Sequence, residues 1–327
     1  MFLWNYCIEN NEKYDKIKLF KERFFIMWIY YSLILLSVAM FGVGFAFQDL
    51  YRKKRGSGLR ISMESACIGS VAGLMVLIAI DGLAFEYTPF TLLMASWAAL
   101  NGMAFTFCAF RALDYINLSL FSLFSMLGGM VLPFFQGIIF YGEAFTIAKG
   151  ICVVFIIAAL LCTLEKREKK KGTAFYIGIF VLNGMSGVIS KIFTASGFPK
   201  TSAAGYSMWS AAITIMLSSV AWLVLSRIEK RRALIDGVGI EKIERKTKWQ
   251  SYGIGALYGI VNKVANFLLV VALMHVDASV QYPMVTGGTM IVSTALSFLG
   301  DKKPNKREIL GVLLAFLGML ALFIIPA

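Results

Sequence analysis

Residues 117–140 read NLSLFSLFSMLGGMVLPFFQGIIF, twenty-four positions without one ionisable side chain. A helix needs about 20 apolar residues to cross a bilayer, so this run is long enough to span. Backbone groups in lipid must pair internally, and the run is too continuous for a barrel strand, so it is a helix. Comparable blocks recur outward in both directions, giving ten spans near 25–47, 61–83, 89–110, 117–140, 147–164, 173–195, 204–226, 251–274, 278–299 and 308–325. The whole chain of 327 residues is 58% hydrophobic and 16% charged, with mean hydropathy +0.73, where soluble proteins carry about a quarter charged residues. Soluble, disordered and fibrous classes are excluded. The fold class is all-α integral membrane, with ten transmembrane helices.

The formal charge is +13, and its distribution matters more than its size. Twenty-three lysines and arginines fall on loops after odd-numbered spans, eight of them in the longest loop, 227–250. The N-terminal tail and the even loops carry seven, among them Lys149 and Lys200. The positive-inside rule puts the odd loops in the cytoplasm and both termini outside. The 227–250 loop then lies on the anionic cytoplasmic leaflet. No basic stripe interleaved with aromatics sits on a soluble domain, so no nucleic acid partner is expected. Residues 1–24 form a polar tail with no short apolar core and small-residue cleavage site, so the first block is expected to stay as an uncleaved span. Met27 is an alternative start that N-terminal sequencing would decide. Five cysteines, Cys7, Cys67, Cys108, Cys152 and Cys162, form no CxxC pair and read as small packing residues.

The halves resemble each other. Ala112-Leu-Asp-Tyr-Ile-Asn-Leu-Ser119 parallels Ala272-Leu-Met-His-Val-Asp-Ala-Ser279, a spacing of 160 residues. A glycine pair follows in each, Gly128-Gly129 and Gly287-Gly288, then an acidic turn, Gly142-Glu143 and Gly300-Asp301. Each last helix opens on a capping residue, Thr146 or Asn305, and Asn305 with Glu308 reads as a capping box. Four shared features in one order divide the chain into a tail 1–24, a five-helix repeat 25–164, a basic linker 165–172 and a second repeat 173–327. An odd span number inverts the second repeat, an architecture of alternating-access transporters.

The repeat ends Phe140-Tyr-Gly-Glu-Ala-Phe-Thr146 and Gly300-Asp-Lys-Lys-Pro-Asn-Lys-Arg-Glu-Ile-Leu-Gly311, with Asn183–Lys191 and Tyr282–Gly288, resemble the drug/metabolite transporter superfamily, specifically its ten-helix EamA-like branch. The resemblance covers residues 25–327. Cys152 stands where a glycine is usual, and the second turn has Asp301 instead of Glu. The resemblance implies a multi-pass protein of the plasma (inner) membrane that exports amino acids or other small metabolites.

An ionisable residue deep in a span is costly and by default functional. Lys263 is such a residue, near the middle of span eight. Asn262 and Asn266 share its sector of that helix, and Lys263 and Asn266 are three apart, on one face. The alternative is a lysine bonded to backbone carbonyls at a kink; the rarity of mid-membrane charge favours a cavity. Lys263 could also itself gain and lose a proton. Asn101 and Asn183, near the middles of spans three and six, read equally as cavity lining or interhelical bonds. Tyr282 and Thr286 on span nine complete the candidate substrate-binding set. Trp97, Trp209 and Tyr282 itself are left open between cavity and lipid. Gln136 and Lys191 read as snorkelling near span ends, and His275 as an interfacial residue. Gly128, Gly129, Gly287 and Gly288, with Pro133 and Pro283, read as packing, with hinge action as the other option.

No Asp or Glu lies near a span centre, whereas small exporters of lipophilic cations use a buried carboxylate. A lone buried amine calls for an anionic or zwitterionic cargo whose carboxylate or phosphate meets Lys263. The sequence has no P-loop, HExxH or GxSxG motif, so no enzyme, cofactor or metal is expected. The partners expected are a small-molecule substrate and membrane lipid, with a homodimer left open. The reading is a secondary transporter, exporting on family grounds, and its alternative is a multidrug exporter of lipophilic cations on the same fold.

Overall fold

The computed structural model describes residues 2–83, 86–142, 146–163, 172–235, 245–276, 278–300 and 303–324. Side chains are described from Trp28 onward, except at 149, 160, 163, 232–235, 245–248, 278–280, 283, 322 and 323. The linker up to residue 171, the turn acids Glu143 and Asp301, the side chain of Pro283 and the middle of the 227–250 loop therefore lie outside the described residues.

The described residues form ten helices and no strand: α1 (Phe2–Arg55), α2 (Leu59–Asp81), α3 (Pro89–Leu113), α4 (Leu118–Tyr141), α5 (Ile147–Thr163), α6 (Thr173–Ala195), α7 (Ala203–Ile235), α8 (Arg245–Leu273), α9 (Ala278–Ser297) and α10 (Lys306–Ile324). Each expected span has its helix. Seven of them, α1 to α4 and α6 to α8, contain stretches long and apolar enough to cross a membrane, which makes this a multi-pass membrane protein. α5 and α9 carry shorter apolar stretches, Gly150–Ala159 and Met284–Ser297. One boundary differs from expectation: α1 begins at Phe2, so the backbone of the polar tail continues the first span's helix.

Local chemistry sets the ends. Thr88 caps α3 by accepting from Thr91 N at 3.1 Å, with Pro89 in the first turn where a missing N–H costs nothing. Asn117 caps α4 through Leu120 N at 2.8 Å. The expected capping box forms: Glu308 N donates to Asn305 Oδ1, and Asn305 N to Glu308 Oε2, each at 2.9 Å. Gly142 ends α4 at φ 65°, a left-handed conformation that glycine adopts without steric cost.

Packing pairs the helices in two directions. α2 and α7 are antiparallel: Arg60 near the start of α2 meets Glu229 near the end of α7, and Leu77 near the end of α2 packs on Ala204 and Met208. α4 and α9 are antiparallel as well, Ser119 bonding Thr294 at 3.0 Å. So are α5 and α10, where Gly318 lies against Cys152 and Phe155. By contrast α4 runs parallel to α6, Gly128 meeting Phe180 and Gly184 meeting Leu132. In the same sense α1 runs parallel to α9, Gly288 meeting Val38 and Gly42 meeting Val292. A β-carbon at Gly128 would run into the backbone of Phe180, so this contact requires glycine. The glycine pairs therefore pack helices closely. The largest apolar core joins α1, α3, α4, α5, α6, α9 and α10 around Phe45, Phe121, Leu127, Cys152, Ile179 and Met290.

Candidate functional site

α1 to α4 and α6 to α9 surround a cavity of about 250 Å3. Its position follows from small residues. α2 and α8 meet through Gly69 and Gly259, where a β-carbon on Gly259 would strike the backbone of Gly69. One turn on, Gly73 leaves the space into which the Cβ and Cγ of Lys263 fit. The lysine side chain is thereby held at the seam between α2 and α8 and lines the cavity.

All seven residues singled out as substrate-binding, Asn101, Asn183, Asn262, Lys263, Asn266, Tyr282 and Thr286, are brought together in this wall. Asn266 Nδ2 donates to Asn262 O at 2.8 Å and to Asn262 Oδ1 at 3.1 Å, joining the polar sector of α8 into one unit. The two readings of Asn101 and Asn183 both hold. Asn101 Nδ2 donates to Leu182 O at 2.8 Å and Asn183 Nδ2 to Ser125 O at 2.7 Å, tying α3 to α6 and α6 to α4, while both side chains line the cavity. Tyr282 Oη donates to Gly187 O at 3.3 Å. Of the four glycines, Gly129 lines the cavity; Gly128, Gly287 and Gly288 pack helices.

Two residues left open resolve away from the cavity, and a third departs from expectation. Trp97 is exposed on the outside of the bundle, and Trp209 turns away to donate to Glu86 O at 2.9 Å; neither lines the cavity. Gln136 does not snorkel: it is buried, because α4 is covered on that side by α6. His275 is exposed and stacked on Tyr30 at 4.1 Å.

The sequence reading missed much of the wall. Ser207, Ser210 and Thr214 on α7, Ser186 and Ser190 on α6, and Ser65 and Ser70 on α2 line it, as do Tyr206, Tyr258 and Gln281. Spacings of three and four residues put the hydroxyls of α7 and those of α6 each on one helical face, and that periodicity was the available signal there; Ser65 and Ser70, five apart, gave none. Several hydroxyls donate to their own helix: Ser207 to Ala203 O at 2.8 Å and Thr214 to Ser210 O at 2.7 Å. Their oxygens are left to face the cavity as acceptors. Gln281 donates to Leu269 O at 2.8 Å and keeps its Oε1 buried without a partner among the described residues.

Charge in this wall is one-sided. Among the described residues, Lys263 is the one lysine or arginine in the lining, and no Asp or Glu accompanies it. On α8 and α9 the cavity is also off-centre. Along α8 it runs from Tyr258 to Leu273, the last helical residue, and it takes in Gln281 near the start of α9. At the opposite end it stops short of the helix termini.

No family model matches the chain, and no curated protein matches it. A solved structure described only as "Crystal structure of protein" shares the fold, with a TM-score of 0.57 and 15% identity over 87% of this chain and 96% of the matched one. That likeness speaks to fold alone.

Proposed function

We propose that this chain is a secondary transporter of a small polar metabolite, anionic or zwitterionic, working by alternating access between two inverted five-helix halves in the plasma membrane. The observation that carries the reading is Lys263, one cation in a cavity whose described lining has no carboxylate. An unpaired charge in a membrane interior is expensive, and a bound carboxylate or phosphate would offset that cost.

The two-half architecture is supported by the packing. Exchanging α1–α5 with α6–α10 maps neighbours onto neighbours: α1 beside α8 and α9 becomes α6 beside α3 and α4, and α2 beside α8 becomes α7 beside α3. It holds at the residue level. Gly128 and Leu132 recur 160 positions on as Gly288 and Val292, while Val38 and Gly42 recur 142 positions on as Phe180 and Gly184, with each contact preserved. The antiparallel pairs α2·α7, α4·α9 and α5·α10 are those that inversion requires. This pattern, with the residues that resemble the EamA-like branch of the drug/metabolite transporters, supports that membership and export as the direction. With the odd loops in the cytoplasm, the long side of the cavity faces outward.

A second reading, an exporter of lipophilic cations, has in its favour the aromatic wall of Phe41, Phe45, Phe105, Tyr206, Tyr258 and Tyr282. A thermal-shift screen of purified wild type and Lys263→Ala against a metabolite library separates the two. Acidic or zwitterionic hits lost in Lys263→Ala support the first reading; lipophilic-cation hits retained in Lys263→Ala overturn it.

A further inference from the structure

The end of the cavity opposite its long side is closed by a plug that the transport reading does not use. On four helices the plug residue lies just beyond the last lining residue: Ile61 before Ser65 on α2, Phe110 after Thr106 on α3, Ile254 before Tyr258 on α8, and Tyr51 after Phe45 on α1. Four residues of helix are about 6 Å and the six on α1 about 9 Å; packing of the four side chains on one another makes them one layer beneath the floor. Tyr51, Ile61 and Phe110 are buried and pack together with Ile254.

An ion pair is built into this layer. Arg55 Nη2 is 2.6 Å from Glu64 Oε1, both side chains are 4% exposed, and Tyr51 Oη donates to the same oxygen at 3.3 Å. Arg60 Nη1 approaches the other oxygen at 3.7 Å. Around it, polar atoms are buried without partners among the described residues: both amide atoms of Gln48, Nε of Arg55 and Oγ of Ser65. A permanently dry plug gains nothing from such groups, because well-packed apolar side chains stabilise as much or more than a buried ion pair. The groups make sense in a layer that fills with water in another state of the protein.

The other end is closed differently. There Met94, Ala95, Ile189, Phe193 and Tyr206 cluster, with Phe193 stacked on Tyr206 at 4.3 Å. By the same half-exchange that relates the glycine contacts, Tyr51 corresponds to Phe193 and Ile254 to Met94. The two closures occupy equivalent places, one ionic and one aromatic.

We infer that Arg55, Glu64 and Tyr51 form an ionic latch over the end of the cavity at the α1–α2 turn, and that parting Arg55 from Glu64 opens this end to water, with Gln48 and Ser65 lining the passage. The inference rests on the transporter reading for its purpose, while its test needs no cargo.

The test uses the full-length chain with its five cysteines replaced by serine, a single Thr106→Cys at the floor, and a membrane-impermeant thiol reagent applied from the α1–α2 turn side of oriented vesicles. Glu64→Gln and Arg55→Gln are each expected to raise the labelling rate about tenfold, as loss of a charged hydrogen bond implies, and the exchanged pair Arg55→Glu with Glu64→Arg to bring it back down. Tyr51→Phe, which removes one hydroxyl, gives a smaller rise and guards against a variant that fails to fold. Unchanged labelling in Glu64→Gln and Tyr51→Phe, with both eluting as wild type on size exclusion, overturns the latch. Loss of cargo binding in Lys263→Ala tests the cavity separately, so either idea can fail alone.

Discussion

The methylene stem of Lys263 occupies the space that Gly73 leaves empty on the facing helix. Cβ and Cγ of the lysine lie 2.7 and 2.6 Å from where a β-carbon on residue 73 would stand. The cation's position is thus set by a missing side chain on α2 as much as by its own helix.

Gly73→Ala is accordingly expected to push Lys263 out of register and to cost about 1–3 kcal/mol of stability, the usual range for overpacking. The double variant Gly73→Ala with Lys263→Gly removes both the Cβ and the Cγ contact and recovers part of that loss. Chemical or thermal unfolding in detergent, run as a four-member cycle, reads the coupling.

Asn266→Asp puts a carboxylate three residues from Lys263 on the same helical face. The internal counter-ion competes with an external anion, so affinity for an acidic hit is expected to fall about tenfold or more, while Asn266→Ala falls less. Binding titrations with one hit from the metabolite screen compare the two variants.

Gly42 and Gly184 hold equivalent contacts in the two halves, against Val292 and Leu132. Gly42→Ala and Gly184→Ala should each lower the melting temperature. Trimming Val292→Ala should restore part of it at Gly42; at Gly184 the backbone oxygen of Gly128 also stands 2.6 Å from the added carbon, so Leu132→Ala should restore less. Gly128→Ala meets backbone of Phe180 instead, so no trimmed side chain can relieve it, and it should be the most damaging of the three.

The helices were legible because length and apolarity are properties of contiguous residues. The cavity was legible where its residues are anomalous: an amine or an amide in the middle of a span, as at Lys263, Asn101 and Asn183. It was not legible where residues are ordinary for a membrane helix. Ser207 and Thr214 satisfy themselves against their own backbone, so only their shared helical face, and not their chemistry, pointed to a lining role. Gln136 and Trp209 were misread or left open because burial and hydrogen-bond partners come from other helices. The Arg55–Glu64 pair was missed for a further reason: each reads as a helix-end charge bound for water, and burial of both depends on how α1, α3 and α8 close over the turn.

The central claim is that Lys263 holds the charge of the cargo. Counterflow of a radiolabelled acidic or zwitterionic hit into proteoliposomes, measured for wild type, Lys263→Arg and Lys263→Ala, tests it most directly. The account predicts saturable counterflow in wild type, a residual signal in Lys263→Arg, and none in Lys263→Ala. Undiminished counterflow in a correctly folded Lys263→Ala would contradict it.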